Sequence, residues 1–205
     1  MPSILLLGAP GTGKCRFIHD LLPNFKNVVW VTTLNSAEFV RNQLKFYEGN
    51  LWIVDTHTWM RRKTHTAMDI IVSNPINLNE VSLSISKVVD DLADEYILIF
   101  DSISGLLVYH SIQRVMHFLR GLLVKTEDRG SIYTLVQGAH QVTDEISIMM
   151  LFQNIIKLEW LNEKRYLKLI KSVKYVEPTI AEIELNKDGI KIPETIREYI
   201  LSQLK

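Results

Sequence analysis

The chain has 205 residues, 47% of them hydrophobic, which is enough for one α/β domain with a sizeable buried core. Lysine plus arginine and aspartate plus glutamate both total 23, so the formal net charge is zero and no overall basic field attracts nucleic acid. The single cysteine excludes an internal disulfide, and no secretory signal or long apolar span occurs, so we expect a cytoplasmic protein without membrane contact.

The first predicted elements are a strand, a glycine-rich turn and a helix. Residues 4–7 are apolar and predict a buried strand, and residues 16–22 predict a helix that Pro23 ends. The turn between them has glycine at its first and sixth positions and lysine at its seventh, the spacing of a P-loop (Walker A). Glycines let backbone N–H groups converge on an anion, and the start of the helix points its positive end at the same place. We therefore predict that a nucleotide binds to Gly8, Ala9, Pro10, Gly11, Thr12, Gly13, Lys14 and Cys15.

Cys15 departs from the motif. A P-loop has serine or threonine at this position, and its hydroxyl binds Mg²⁺. A neutral thiol is a poor ligand for a cation that prefers oxygen, so phosphate binding survives this change more easily than metal positioning. The alternative is a glycine-rich turn that binds no ligand, and the match of the whole turn between a strand and a helix favours the P-loop.

The next segment continues the alternation and then becomes irregular. We predict a strand over 27–33, a helix from a capping Asn35 to Gly49, and a strand over 51–54 that runs into Asp55. Residues 56–79 predict a long surface loop. Its basic patch, Arg61-Arg62-Lys63 near Trp59, is either a contact for nucleic acid or an acidic partner or a solvated loop, and the zero net charge favours the solvated loop.

An apolar strand over 96–100 follows a predicted helix over 81–92 and ends at Asp101. Open α/β sheets bind ligands at the carboxyl ends of their strands, so Asp101 is predicted to hold Mg²⁺ directly or through water. The alternative is that Asp101 only caps the turn after the strand. A long helix to residue 128, a strand over 131–136 and a short helix over 145–152 complete the alternating pattern.

The last part of the chain has consecutive strands. Four strand-like runs, 155–161, 165–173, 180–185 and 190–192, are separated by turns and followed by a helix after Pro193, which predicts antiparallel additions to the sheet edge. We predict one domain over residues 1–205, an α/β fold with a mostly parallel central sheet. Trp30, Trp52 and Trp160 lie in strands and are expected in the core rather than stacked on nucleobases.

Residues 101–106, Asp-Ser-Ile-Ser-Gly-Leu, resemble the second nucleotide motif (Walker B) of the RecA superfamily, specifically of its KaiC-like branch. The AAA+ family shares the glycine-rich loop but typically has glutamate directly after the aspartate, where this chain has Ser102. The likeness extends through the later strands and covers nearly the whole chain. It implies a RecA-like three-layer sandwich, ATP or ADP with Mg²⁺ as ligands, and a protein partner or homo-oligomer.

The departures from the family pattern concern catalysis. KaiC-like ATPases have two glutamates after the second strand that polarise the attacking water, and here Leu34 and Asn35 take their place. A late Lys-x-Arg motif, which reaches the phosphates of a neighbouring subunit, has Val173 in place of the arginine. Together with Cys15, these losses imply an ATP-binding protein that hydrolyses ATP weakly or not at all and has a regulatory or assembly role.

Some assignments stay open at the sequence level. Gln137 matches the position where RecA-like proteins sense the outer phosphate, and Asp55 can supply a carboxylate, so these two are the candidates for a catalytic role. We expect His140 to be structural. One alternative function is an active ATPase that serves DNA recombination or repair, and a second is a small-molecule P-loop kinase, for which the antiparallel tail is unsuited.

Overall fold

The computed structural model describes residues 3–59, 66–92, 95–186 and 189–205, which form a ten-stranded sheet with helices on both faces. The strands are β1 (Ser3–Gly8), β2 (Asn27–Thr32), β3 (Asn50–Asp55), β4 (Asp69–Ile71), β5 (Ile97–Asp101), β6 (Ser131–Val136), β7 (Asn154–Leu161), β8 (Lys164–Lys171), β9 (Ile180–Leu185) and β10 (Ile190–Lys191). The helices are α1 (Lys14–Leu21), α2 (Ala37–Gln43), α3 (Leu78–Leu92), α4 (Ile103–Leu107), α5 (Ile112–Lys125), α6 (Val142–Met149) and α7 (Glu194–Leu204), and a 3₁₀ turn over Leu22–Asn24 follows α1.

The strand order across the sheet is β10-β9-β8-β7-β1-β6-β5-β2-β3-β4. From β7 to β4 all neighbouring strands are parallel, and β8, β9 and β10 add antiparallel pairs at the other edge. The predicted α/β fold with a mostly parallel sheet and an antiparallel C-terminal extension is therefore confirmed. Among the described residues, none of the helices has the length and apolar character that crossing a membrane requires.

The two faces of the sheet carry separate hydrophobic cores because side chains alternate along each strand. In β1, Ile4 and Leu6 pack in the core that includes α1, α2 and α7, whereas Leu5 and Leu7 pack in the core that includes α3, α5 and α6. Helices on both faces explain why the central strands are continuous apolar runs in the sequence. The result is three layers, with β1 near the middle of the sheet.

Some helices end earlier than predicted, α2 at Gln43 rather than near Gly49 and α5 at Lys125 rather than residue 128, and two further details differ from the sequence-based expectations. Residues 56–79, expected to be a loop, contain β4, which pairs in parallel with β3, and Asp69 on this strand forms an ion pair with Arg41 at 2.5 Å. Three residues are too few for a recognisable strand pattern. The cap of α2 is Ser36, which accepts a hydrogen bond from the Phe39 N–H at 3.2 Å, and not Asn35, whose backbone instead bonds to the Thr32 hydroxyl.

Candidate functional site

The glycine-rich turn joins the carboxyl end of β1 to α1. Gly11 and Gly13 have φ angles of +79° and +105°, a region that residues with a side chain rarely adopt. Gly8 has no room for a side chain, because a Cβ there would lie 2.7 Å from the carbonyl oxygen of Leu158. Gly13 is the N-cap of α1, and no side chain among the described residues caps this helix. An anion at the turn would be placed to accept hydrogen bonds from the N–H groups at the start of this helix, such as those of Lys14 and Cys15.

The Lys14 side chain folds back over this turn. Its Nζ donates to the carbonyl oxygens of Gly8 at 2.6 Å and Ala9 at 3.0 Å. Burial lowers the pKa of Lys14, while the nearby Cys15 and Asp101 act in the opposite direction. A phosphate group bound to the turn would compete with the two carbonyl oxygens for this ammonium group. It would offer a full negative charge, which the neutral carbonyls do not.

Asp101 lies at the carboxyl end of β5, and β6 separates it from β1. Its Oδ1 accepts a hydrogen bond of 2.7 Å from the Thr134 hydroxyl on β6. This bond fixes the carboxylate at the carboxyl ends of the strands, where the turn also lies. Burial raises the pKa of Asp101, whereas the bond from Thr134 and the charge of Lys14 lower it. A cation beside Asp101 would offset the cost of burying its negative charge.

A cavity of about 160 Å³ opens beside Asp101, and residues of α1 and α2 line it. Asp101 is the single carboxylate among the described residues that line this cavity, which also include Cys15 and Asn35. Although Cys15 is exposed as a residue, desolvation at the cavity and then the charge of Asp101 raise the pKa of its thiol. Leu34, the residue before Asn35, is 46% exposed. Besides Asp101 and Cys15, the imidazole of His19 is the one titratable side chain that the described residues contribute, so the cavity holds no second carboxylate for polarising a water molecule.

The two catalytic candidates occupy different environments. Gln137 follows β6, and its N–H donates to the carbonyl oxygen of Gly8 at 3.2 Å, so this residue lies beside the turn. Asp55 is completely buried, and its carboxylate accepts four hydrogen bonds: from the N–H groups of Ala37, His57 and Thr58 and from the Thr58 hydroxyl, at 2.6–2.8 Å. Asp55 thereby fixes the start of α2.

The other predicted positions are not all at the site. The His140 Nε2 lies 2.9 Å from the Ser104 Oγ, a structural contact. Lys171 pairs in register with Ile155 at the start of β7. Lys171 and the nearby Val173 therefore lie at the amino ends of the parallel strands, whereas the turn lies at their carboxyl ends. No cluster of three potential metal ligands occurs in the described part of the chain. The basic patch at residues 61–63 lies outside the described residues.

Trp160 is the residue that the sequence-based interpretation misplaced. Trp30 is in the core as expected, at 3% exposure, and Trp52 is half-buried, but Trp160 is 47% exposed. Its Nε1–H donates to the carbonyl oxygen of Gly11 at 3.4 Å. The reason is its position near the end of β7, where only Leu161 separates it from the two-residue turn to β8 and where the register runs past the last residues of β1. A tryptophan next to a hairpin turn is the signal that pointed to exposure.

Comparison with known proteins gives a family and a fold. A family model described as a family of unknown function, DUF7504, matches residues 2–147. The crystal structure of an uncharacterized protein, PH0321, from Pyrococcus horikoshii in complex with an unknown peptide is similar, with a TM-score of 0.72 and 16% sequence identity. The similarity covers 93% of this chain and 91% of that chain, and at this identity it shows the fold alone. No curated protein matches the sequence. Because the family model covers well over half of the residues, the chain belongs to the DUF7504 family.

Proposed function

We propose that this protein binds ATP at residues 8–15, hydrolyses it weakly or not at all, and acts through the difference between its bound and free states. The observation that carries the proposal is the convergence of three phosphate-binding features: the left-handed glycines of the turn, the uncapped start of α1 and the Nζ of Lys14. Each of these groups favours an anion, and together they match a polyphosphate better than an isolated carboxylate.

The surroundings of the turn support binding without rapid turnover. A thiol at Cys15 replaces the hydroxyl that would hold Mg²⁺, and Asp101 is the single carboxylate that the described residues contribute to the adjacent cavity. The Asp101 carboxylate, which accepts a hydrogen bond from Thr134, is suited to bind a metal ion. The Gln137 amide is not a base and would not take a proton from water. A missing arginine from a neighbouring subunit costs a further factor of roughly a thousand or more in related phosphoryl transfers.

The same features favour a RecA-like architecture of the KaiC-like type. The glycine-rich turn follows a central strand, the aspartate ends a strand two positions away, and antiparallel strands extend the sheet beyond β7.

Calorimetric titration with ATP and Mg²⁺ tests the proposal. The wild-type protein and Lys87→Ala, which changes an exposed lysine on α3, should bind ATP, and Lys14→Ala should lose binding while its circular dichroism spectrum stays the same. Phosphate release over several hours should stay at background with and without DNA. Equal ATP affinity in Lys14→Ala would remove this residue from the site, and rapid release by the purified protein would refute weak hydrolysis.

A further inference from the structure

The positions of Lys14 and Asp101 give a direction to any nucleotide bound at the turn. Lys14 reaches the outer phosphates of such a ligand, and Asp101 is on β5, so the outer phosphates lie on the side of β1 that faces β6 and β5. The nucleoside is attached to the other end of the phosphate chain. It must therefore leave the turn on the opposite side of β1, where β7 is the neighbouring strand.

The end of β7 brings Trp160 to this side. In the parallel register Leu7 pairs with Lys157, so Trp160 lies three residues further along and extends past β1 over the glycine-rich turn. The bond from its indole N–H to the carbonyl oxygen of Gly11 fixes the ring against the turn, although nearly half of the residue stays exposed to solvent. An exposed tryptophan leaves apolar ring surface in contact with water, and a ligand stacked on the ring would bury that surface.

Arg165 completes the arrangement. It pairs with Trp160 across the hairpin, and its guanidinium carbon lies 3.8 Å from the centroid of the indole ring. Its Nε is buried and has no hydrogen-bond partner among the described residues. Arg165 therefore supports one face of the ring through a cation–π contact and brings an unpartnered donor to the same place.

From this juxtaposition we infer that Trp160, supported by Arg165, is the stacking surface for the purine base of the nucleotide. The inference rests on the proposed function and adds the recognition of the nucleoside to that of the phosphates. Aromatic side chains bind bases through their faces, and each such contact changes affinity by a factor of about ten to a hundred.

The test compares two ligands that share phosphates and differ in the nucleoside. Calorimetric titrations with ATP and with inorganic tripolyphosphate, each with Mg²⁺, are made on the wild-type protein, Trp160→Ala and Trp160→Phe. We expect Trp160→Ala to weaken ATP binding about tenfold or more and to leave tripolyphosphate binding within about twofold. Trp160→Phe keeps an aromatic face and should retain most of the ATP affinity, which also controls for folding.

Three results would overturn the inference. Unchanged ATP affinity in Trp160→Ala would show that the base does not contact the ring. Equal weakening of both ligands would show that Trp160 only supports the turn through Gly11. If the wild-type protein binds neither ligand, the phosphate site itself fails, and the inference fails with it, a pattern distinct from the first two.

Discussion

Replacing the buried carboxylate Asp55 by asparagine should destabilise the protein by about 3 kcal/mol. Its Oδ2 accepts from the Ala37 N–H and the Thr58 hydroxyl, and its Oδ1 accepts from the N–H groups of His57 and Thr58. An asparagine side chain has one acceptor oxygen. Even if this oxygen takes the place of Oδ1 and keeps two hydrogen bonds, the Ala37 N–H loses its acceptor, which costs roughly 1–3 kcal/mol. The remaining bonds also lose the strength that the negative charge gives them.

Thermal unfolding at neutral pH, followed by circular dichroism, measures this loss. For a chain of this size, about 3 kcal/mol corresponds to a melting temperature lower by roughly 6–12 °C. The control is Asp91→Asn, at an exposed position on α3, which should change stability by less than about 0.5 kcal/mol. An unchanged melting temperature for Asp55→Asn would refute the reasoning. Loss of residual ATP turnover in a variant of normal stability would instead assign Asp55 the catalytic role.

Three further changes test the site and its surroundings. Cys15→Ser places a hydroxyl beside the proposed phosphate site, so Mg²⁺ should strengthen ATP binding more than in the wild type; equal titrations with and without EDTA would mean that metal is not held there. Burial, and then the charge of Arg16, lowers the pKa of His19 from 6.5 to about 4, so the unfolded state takes up its proton first on acidification. The free energy of unfolding should therefore fall between pH 6.5 and pH 4 by at most about 3 kcal/mol, and the fall should be smaller in His19→Gln in urea titrations; an identical fall in both proteins would contradict this assignment. Gly13→Ala puts a Cβ 2.9 Å from a leucine side chain at a φ of +105°, so it should lose ATP binding and about 1–3 kcal/mol, whereas Gly121→Ala in open space on α5 should not be destabilised in the same melting assay; similar melting of both variants would refute the strain argument.

Most strands and helices could be predicted because each has an apolar run or a helical period bounded by a turn. β4 could not, since its three residues are defined by pairing with β3 rather than by a pattern of their own. The cap of α2 was predicted one residue early because Asn35 and Ser36 are both good capping residues, and the turn around Thr32 decides between them.

In the candidate site too, some residues could be predicted from a local motif and others could not. The glycine-rich turn is a local motif, so its residues are visible in the sequence. The surroundings depend on contacts between distant segments: the Trp160 indole meets Gly11 across 149 residues, and Asp55 receives a bond from Ala37, 18 residues before it. Nothing in the sequence around Trp160 distinguishes a side chain over the turn from one in the core except its closeness to the hairpin.

The strand that carries the glycine-rich turn owes one of its two neighbours to a part of the protein that the family model does not reach. The model ends at residue 147, yet β7 flanks β1 on one side, and Arg197 on α7 holds Asp20 of α1 at 2.5 Å. Without these partners β1 would become an unprotected edge and α1 would lose much of its apolar cover. The segment that the family model matches therefore shares its sheet and one of its cores with the last part of the chain, and a chain cut after residue 147 should be less stable than the whole protein.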